Sequence, residues 1–163
     1  MAHASDSVAA AIRAPSEEVC LLGNATDACM AVALRWAKLL AAERQKGADP
    51  GSVLLLDWTY ASNKLILQGT CGSGAASATI VGAAVPFPLQ SPAQILDSLQ
   101  TTLRQHRPRF ALLEHVMSQP AMILPVAEMV ALCRDAGVEE VAVDAGKLPP
   151  LLPTRGLPFG STF

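Results

Sequence analysis

Short apolar runs alternate along the chain with longer stretches in which apolar residues recur every three or four positions. Glu18 to Leu22 reads as a strand. Asn24 then offers a capping side chain ahead of Cys29, Val32, Ala33, Trp36 and Leu40 at helical spacing, with Gly47 as the stop. The turn Asp49-Pro50-Gly51 leads into a second strand, Val53 to Leu56, and a shorter helix is predicted over Ala61 to Gln68. Cys71 to Gly74 is a turn and Ala78 to Val85 a strand. Ser91-Pro92 places a cap before a proline at the first helical position, with Ile95, Leu96, Leu99 and Leu103 on one face of the helix that follows. Phe110 to Leu113 is the next strand. Pro125 opens a helix through Ala136 that carries Val126, Met129, Val130 and Cys133, and Gly137 ends it. The last strand, Val141 to Val143, finishes at Asp144. This alternation predicts an α/β fold with a largely parallel sheet flanked by helices. From Lys147 to Phe163 the periodicity stops and Pro149, Pro150, Pro153 and Pro158 accumulate, so an irregular or disordered proline-rich tail is expected over 147–163.

Composition narrows the function classes. The 163 residues suit one domain, and 51% hydrophobic against 16% charged residues argue against disorder in the bulk. A net charge of −2 gives no electrostatic case for nucleic acid or an anionic membrane. The longest apolar candidate, Thr79 to Leu89, is broken by Pro86 and Pro88, so no membrane span is expected. The N-terminus, with Asp6 and an alanine-rich stretch bearing one arginine, is too weak for a signal or transit peptide. Cys20, Cys29, Cys71 and Cys133 are widely spaced and form no C-x-x-C pair. They read as reduced, mostly buried thiols rather than metal ligands, and point to a cytoplasmic location.

In a parallel α/β sheet, ligands gather at the carboxyl ends of the strands. Four groups fall there. Asn24-Ala25-Thr26-Asp27-Ala28 lies between a strand and a helix start, where free amides and the helix dipole favour a phosphate and Thr26 adds a hydroxyl; an ordinary helix cap is the other reading. Asp57-Trp58-Thr59-Tyr60 follows the second strand, and Tyr60 either stacks on a planar heteroaromatic ring or packs as a half-buried residue. In Glu114-His115-Val116-Met117-Ser118-Gln119-Pro120, Ser118 or Gln119 offers a hydrogen bond to a ring hydroxyl. His115 is either an acid–base group or a histidine held in place by hydrogen bonds. Asp144 closes an apolar strand, where a carboxylate needs a cation or several donors; a protonated pyridine nitrogen qualifies, and a helix cap is the alternative. Two further motifs carry less. Cys71-Gly72-Ser73-Gly74 follows a helix and opens none, unlike a phosphate loop, and Pro150-Leu151-Leu152-Pro153-Thr154-Arg155 fits a P-x-x-P-x-R ligand that arises often by chance.

These four groups, in chain order, carry a resemblance. Val19-Cys20-Leu21-Leu22-Gly23-Asn24-Ala25-Thr26-Asp27-Ala28, Pro86-Phe87-Pro88-Leu89, Leu113-Glu114-His115-Val116, Leu124-Pro125-Val126-Ala127-Glu128 and Val141-Ala142-Val143-Asp144 recur in register. Across residues 5–146 the chain resembles the class V aminotransferase family, especially its isopenicillin N epimerase-like and cysteine desulfhydrase-like members. The resemblance implies part of a fold type I large domain that binds pyridoxal 5'-phosphate. Ala25 and Thr26 would then hold the phosphate, Tyr60 would cover the ring, Ser118 would sit near the ring hydroxyl, and Asp144 would bind the pyridine nitrogen and keep it protonated.

The chain also departs from that pattern. Lys147 stands three residues after Asp144, where the family usually has His or Gln, and is too close to Asp144 to reach the far side of the ring. Trp58 replaces a histidine often found there. The family's Schiff-base lysine comes further downstream, and the stretch from Leu148 to Phe163 contains no lysine. The resemblance therefore implies an N- and C-terminally truncated fragment, with no catalytic residue of its own, that holds the cofactor weakly or non-covalently. The parent chemistry would be epimerase, desulfhydrase or desulfurase, or lyase chemistry on an amino acid, in a homodimer or together with a full-length chain. The alternative is an inactive paralogue or splice product that acts by binding a full-length partner.

Overall fold

The computed structural model describes residues 2–147, with side chains from residue 4 onward. Helix α1 (Ala2–Ile12) and a 3-10 turn (Ser16–Glu18) lead into α2 (Ala25–Gln45). Strand β1 (Ser52–Leu56), α3 (Ala61–Thr70), β2 (Thr79–Ala83), α4 (Pro92–His106) and β3 (Phe110–Glu114) follow. A two-stranded antiparallel hairpin, β4 (Val116–Met117) and β5 (Met122–Ile123), precedes α5 (Val126–Asp135) and β6 (Glu140–Asp144). The main sheet runs β2-β1-β3-β6 and is parallel throughout.

Why the sheet forms is visible in its strands. β1 and β3 are buried at every position, as expected of central parallel strands covered on both faces. Alternate residues face opposite layers. Leu54, Leu56, Ala111 and Leu113 join Ile95, Leu99, Met129 and Cys133 from α4 and α5. Val53, Leu55, Phe110 and Leu112 join Trp36, Leu40, Leu67 and Cys71 from α2 and α3. Trp36 stacks on Phe110 with centroids 5.1 Å apart and planes within 10°, and its Nε1 donates to Glu140 Oε2 at 2.8 Å. Glu140 also pairs with Arg35, so α2 is fastened to the edge strand β6 by packing and by charge.

The α/β parallel sheet and its helix order match the expectation from the sequence. Three elements differ. The predicted strand Glu18 to Leu22 is not one. The 3-10 turn closes at Glu18 and Val19 has extended backbone, but no strand among the described residues lies alongside to form a ladder, and Leu21 and Leu22 are exposed. Helix α1 gave no amphipathic signal because its alanines are short; among its described side chains only Ala9 is buried. The β4–β5 hairpin, two residues to a strand, is below what periodicity detects. The expected tail, including the P-x-x-P-x-R motif and all but the first residue of the stretch beginning at Lys147, lies outside the described residues. Among the described residues no helix is long and apolar enough to cross a membrane, and no three His, Cys, Asp or Glu side chains cluster as metal ligands.

Candidate functional site

The parallel strands end on one rim, at Leu56, Ala83, Glu114 and Asp144. Glu114 and Asp144 are register partners on β3 and β6, so two carboxyls emerge side by side. They lie on the face covered by α2 and α3. Asp144 is half-buried. Its Oδ2 accepts from Asn63 Nδ2 at 2.9 Å and its Oδ1 from the Gly146 amide at 3.1 Å, while Cys29 Sγ stands 4.0 Å from Oδ2. No ion pair among the described residues includes Asp144.

Glu114 is only 2% exposed. Its Oε1 accepts from the Tyr60 amide at 2.7 Å, and its Oε2 has no partner. Burial raises its pKa above the ordinary carboxylate value, the hydrogen bond from the Tyr60 amide opposes this, and Asp144 adds a lesser upward push against Lys147 and Asn63. The Cys29 thiol is pushed up to about 11, first by burial and then by Asp144 and Glu114. This end of the sheet is therefore electronegative and short of cations.

The start of α2 lies beside it. Asn24 Oδ1 accepts from the Asp27 amide at 2.9 Å and its carbonyl from the Ala28 amide, which leaves Ala25 and Thr26 exposed at the positive end of the helix dipole. Asp27 is acidic in that first turn and would compete with an anion. Gly146 bridges the two features. A β-carbon there would meet Asp144 Oδ1 at 3.2 Å and Ala25 Cβ at 3.3 Å, so the helix start and the carboxylate approach one another where only glycine fits easily.

Tyr60 is the N-cap residue of α3; it is 54% exposed, and its amide is the one that binds Glu114. Trp58 leans on Phe87 at 6.4 Å, and both line an apolar groove of about 270 Å³ with Val85, Pro86 and Met122. Ser118 lies half-buried in the turn between β4 and β5, and no hydrogen bond among the described residues ties it to the Asp144 cluster. His115 is buried, its Nδ1 has no partner and burial lowers its pKa; its backbone amide donates to the Asp144 carbonyl at 3.0 Å. Lys147 Nζ donates to the Val116 carbonyl at 3.0 Å.

The structure thus brings Ala25 close to Asp144 and links Tyr60 to Glu114, while no hydrogen bond among the described residues joins Ser118 to either. Sequence reasoning assigned no role to Asn63, Glu114 or Cys29. The signals were present. Asn63 shares helical spacing with the buried Ile66 and Leu67, and Glu114 continues the inward alternation of Phe110 and Leu112.

The sequence and fold have known counterparts. The L-cysteine desulfhydrase of Arabidopsis thaliana is 31% identical over 134 residues, covering 79% of this chain and 29% of that protein. A protein of Oryza sativa subsp. japonica with a provisional L-cysteine desulfhydrase designation is 31% identical over 170 residues, 100% of this chain and 35% of its own length. The sequence relatives are L-cysteine desulfhydrases. The chain spans about a third of their length. No protein-family model matches it. Among solved structures, the cystine C-S lyase C-DES superposes with a TM-score of 0.69 at 20% identity, over 91% of this chain and 36% of its own, and another structure of that lyase holds glycine covalently linked to its PLP cofactor. The Oryza sativa protein TDC, solved with PLP and tryptamine, gives 0.63 at 17% identity, over 88% of this chain and 34% of its own. The cysteine desulfhydrase-like resemblance read from the motifs is borne out. The fold is that of part of a fold type I large domain.

Proposed function

We propose that this chain forms the floor of a pyridoxal-phosphate site that acts on an amino acid. The observation that carries the reading is the Asp144 carboxylate. Two fixed donors orient it at the sheet rim, it lies beside the start of α2, and it has no ion-pair partner among the described residues. A protonated pyridine nitrogen supplies the missing cation, and the exposed amides of Ala25 and Thr26 suit the phosphate. Tyr60 covers a ring face, and Ser118 lies within the segment that would border the ring hydroxyl. When bound, pyridoxal phosphate supplies an electron sink for bonds at the α-carbon of an amino acid. The residues of this chain hold it and keep its ring nitrogen protonated. Cysteine or cystine is the substrate class the relatives favour, with C–S bond cleavage as the reaction; epimerisation of the isopenicillin N epimerase type and other lyase chemistry are further outcomes of the same site. The reduced thiols suit a cytoplasmic location.

No Schiff-base lysine is assigned within this chain. Lys38 lies on α2, Lys46 pairs with Glu43, Lys64 donates to the Asp57 carbonyl and Lys147 to the Val116 carbonyl. The cofactor is therefore held weakly and without a covalent link. Borohydride reduction of the chain saturated with pyridoxal phosphate, followed by intact-mass measurement, should show no stoichiometric adduct. An adduct confined to one lysine, with Lys147 the first to map, would contradict this.

We further infer that the chain works against a second subunit or a full-length relative. Leu21, Leu22, Met30 and Leu34 are exposed apolar side chains on α2 and the segment before it, and a second chain packed there would cover them. Light scattering at low micromolar concentration should show self-association. A monodisperse monomer that melts cooperatively would argue against it.

A further inference from the structure

Glu114 has a place at this site that the cofactor reading leaves unexplained. Two carboxyls on neighbouring parallel strands, on the same face and at the same register, cannot both carry charge cheaply unless a cation lies between them. The donors are unequally shared. Asp144 accepts from Asn63 and Gly146 and reaches solvent, whereas Glu114 is 2% exposed and accepts one amide, leaving Oε2 with no partner. The charged or ionisable groups acting on Glu114 are Asp144 on β6 and Lys147 just beyond it, and the Cys29 thiol on α2 senses both carboxyls. Lys147 spends a hydrogen bond on the Val116 carbonyl and forms no ion pair with Glu114.

We propose that Glu114 is a positioning residue that stays a carboxylic acid: Oε1 pins the Tyr60 amide and so the ring-covering segment, while the proton on Oε2 leaves Asp144 as the sole charged acceptor for a cationic ring nitrogen. The role rests on the cofactor reading; the proton does not. Because Glu114's pKa is raised in the fold, its contribution to stability is full below the ordinary glutamate value and is lost as pH rises through the folded value. Glutamine keeps the Oε1 acceptor, places a donor where Oε2–H stands and cannot ionise.

Thermal melts of the full chain without cofactor, from pH 4 to pH 8, test the proton. E114Q should melt level with the wild type at the acid end and a few degrees above it at pH 8, whereas E114A should be destabilised throughout. Pyridoxal-phosphate titration by tryptophan fluorescence tests the role. At pH 7 E114Q should bind within about twofold of the wild type, while D144N loses about tenfold or more. An E114Q melt that tracks the wild type at every pH, or E114Q binding as weak as that of D144N, overturns the inference and leaves the cofactor reading intact. If no variant binds the cofactor but the pH-dependent gap in melting persists, the cofactor reading falls and the proton on Glu114 is upheld.

Discussion

Replacing Asp144 with alanine is expected to weaken pyridoxal-phosphate binding by about two orders of magnitude. Removing one partner of a buried ion pair leaves the other charge uncompensated, which costs about 3–5 kcal/mol; the partial exposure of Asp144 places the loss at the lower end of that range. His115→Ala removes at most a neutral hydrogen bond, worth about 1 kcal/mol, and His115 Nδ1 has no partner here to lose. Fluorescence titration of the two variants side by side checks this. Equal losses would mean that Asp144 is structural, a terminator for β6 that binds Asn63 and Gly146 and nothing beyond the chain.

The largest effect on stability should come from Trp36→Ala. Trp36 is 1% exposed, stacks on Phe110 and donates to Glu140, so truncation opens a cavity between α2 and the sheet and breaks the link to the edge strand. A loss of about 3–5 kcal/mol follows, and a fall in melting temperature of roughly 10 °C. Trp58→Ala is the control. That ring is 45% exposed, and its loss should change stability by about 0.5 kcal/mol or less. Calorimetry or denaturant unfolding distinguishes them. Comparable losses would mean that the α2 face of the sheet is not the tightly packed layer described above.

How much of this was legible in the sequence depended on the signal each feature left. The helix of Cys29, Ala33, Trp36 and Leu40 was clear because its buried residues repeat at 3.6 positions, and β1 and β3 were clear because both faces are apolar. The Glu18 to Leu22 stretch misled because a short apolar run states hydrophobicity but not a partner strand, and none lies alongside among the described residues. The site was half legible. Asp144 stood out because a carboxylate ended an apolar strand, and Ala25 and Thr26 because a cap preceded a helix. Asn63 and Glu114 were hidden because a polar residue continuing an apolar period looks like a lapse in the pattern. Only the register between β3 and β6 shows that Glu114 and Asp144 are neighbours. Ser118 was placed from motif order alone, and its hairpin is too short for periodicity to position.

The most direct test of the cofactor site is a nitrogen–proton correlation spectrum of the isotope-labelled chain, titrated with pyridoxal phosphate. The amides of Ala25, Thr26, Tyr60 and Ser118, and those from Asp144 to Gly146, should shift together along one saturable isotherm, with the residues around α4 and α5 unmoved. Shifts confined to the apolar groove of Trp58, Phe87 and Met122, or no saturable shift at Ala25, Thr26 and Asp144, would contradict the account.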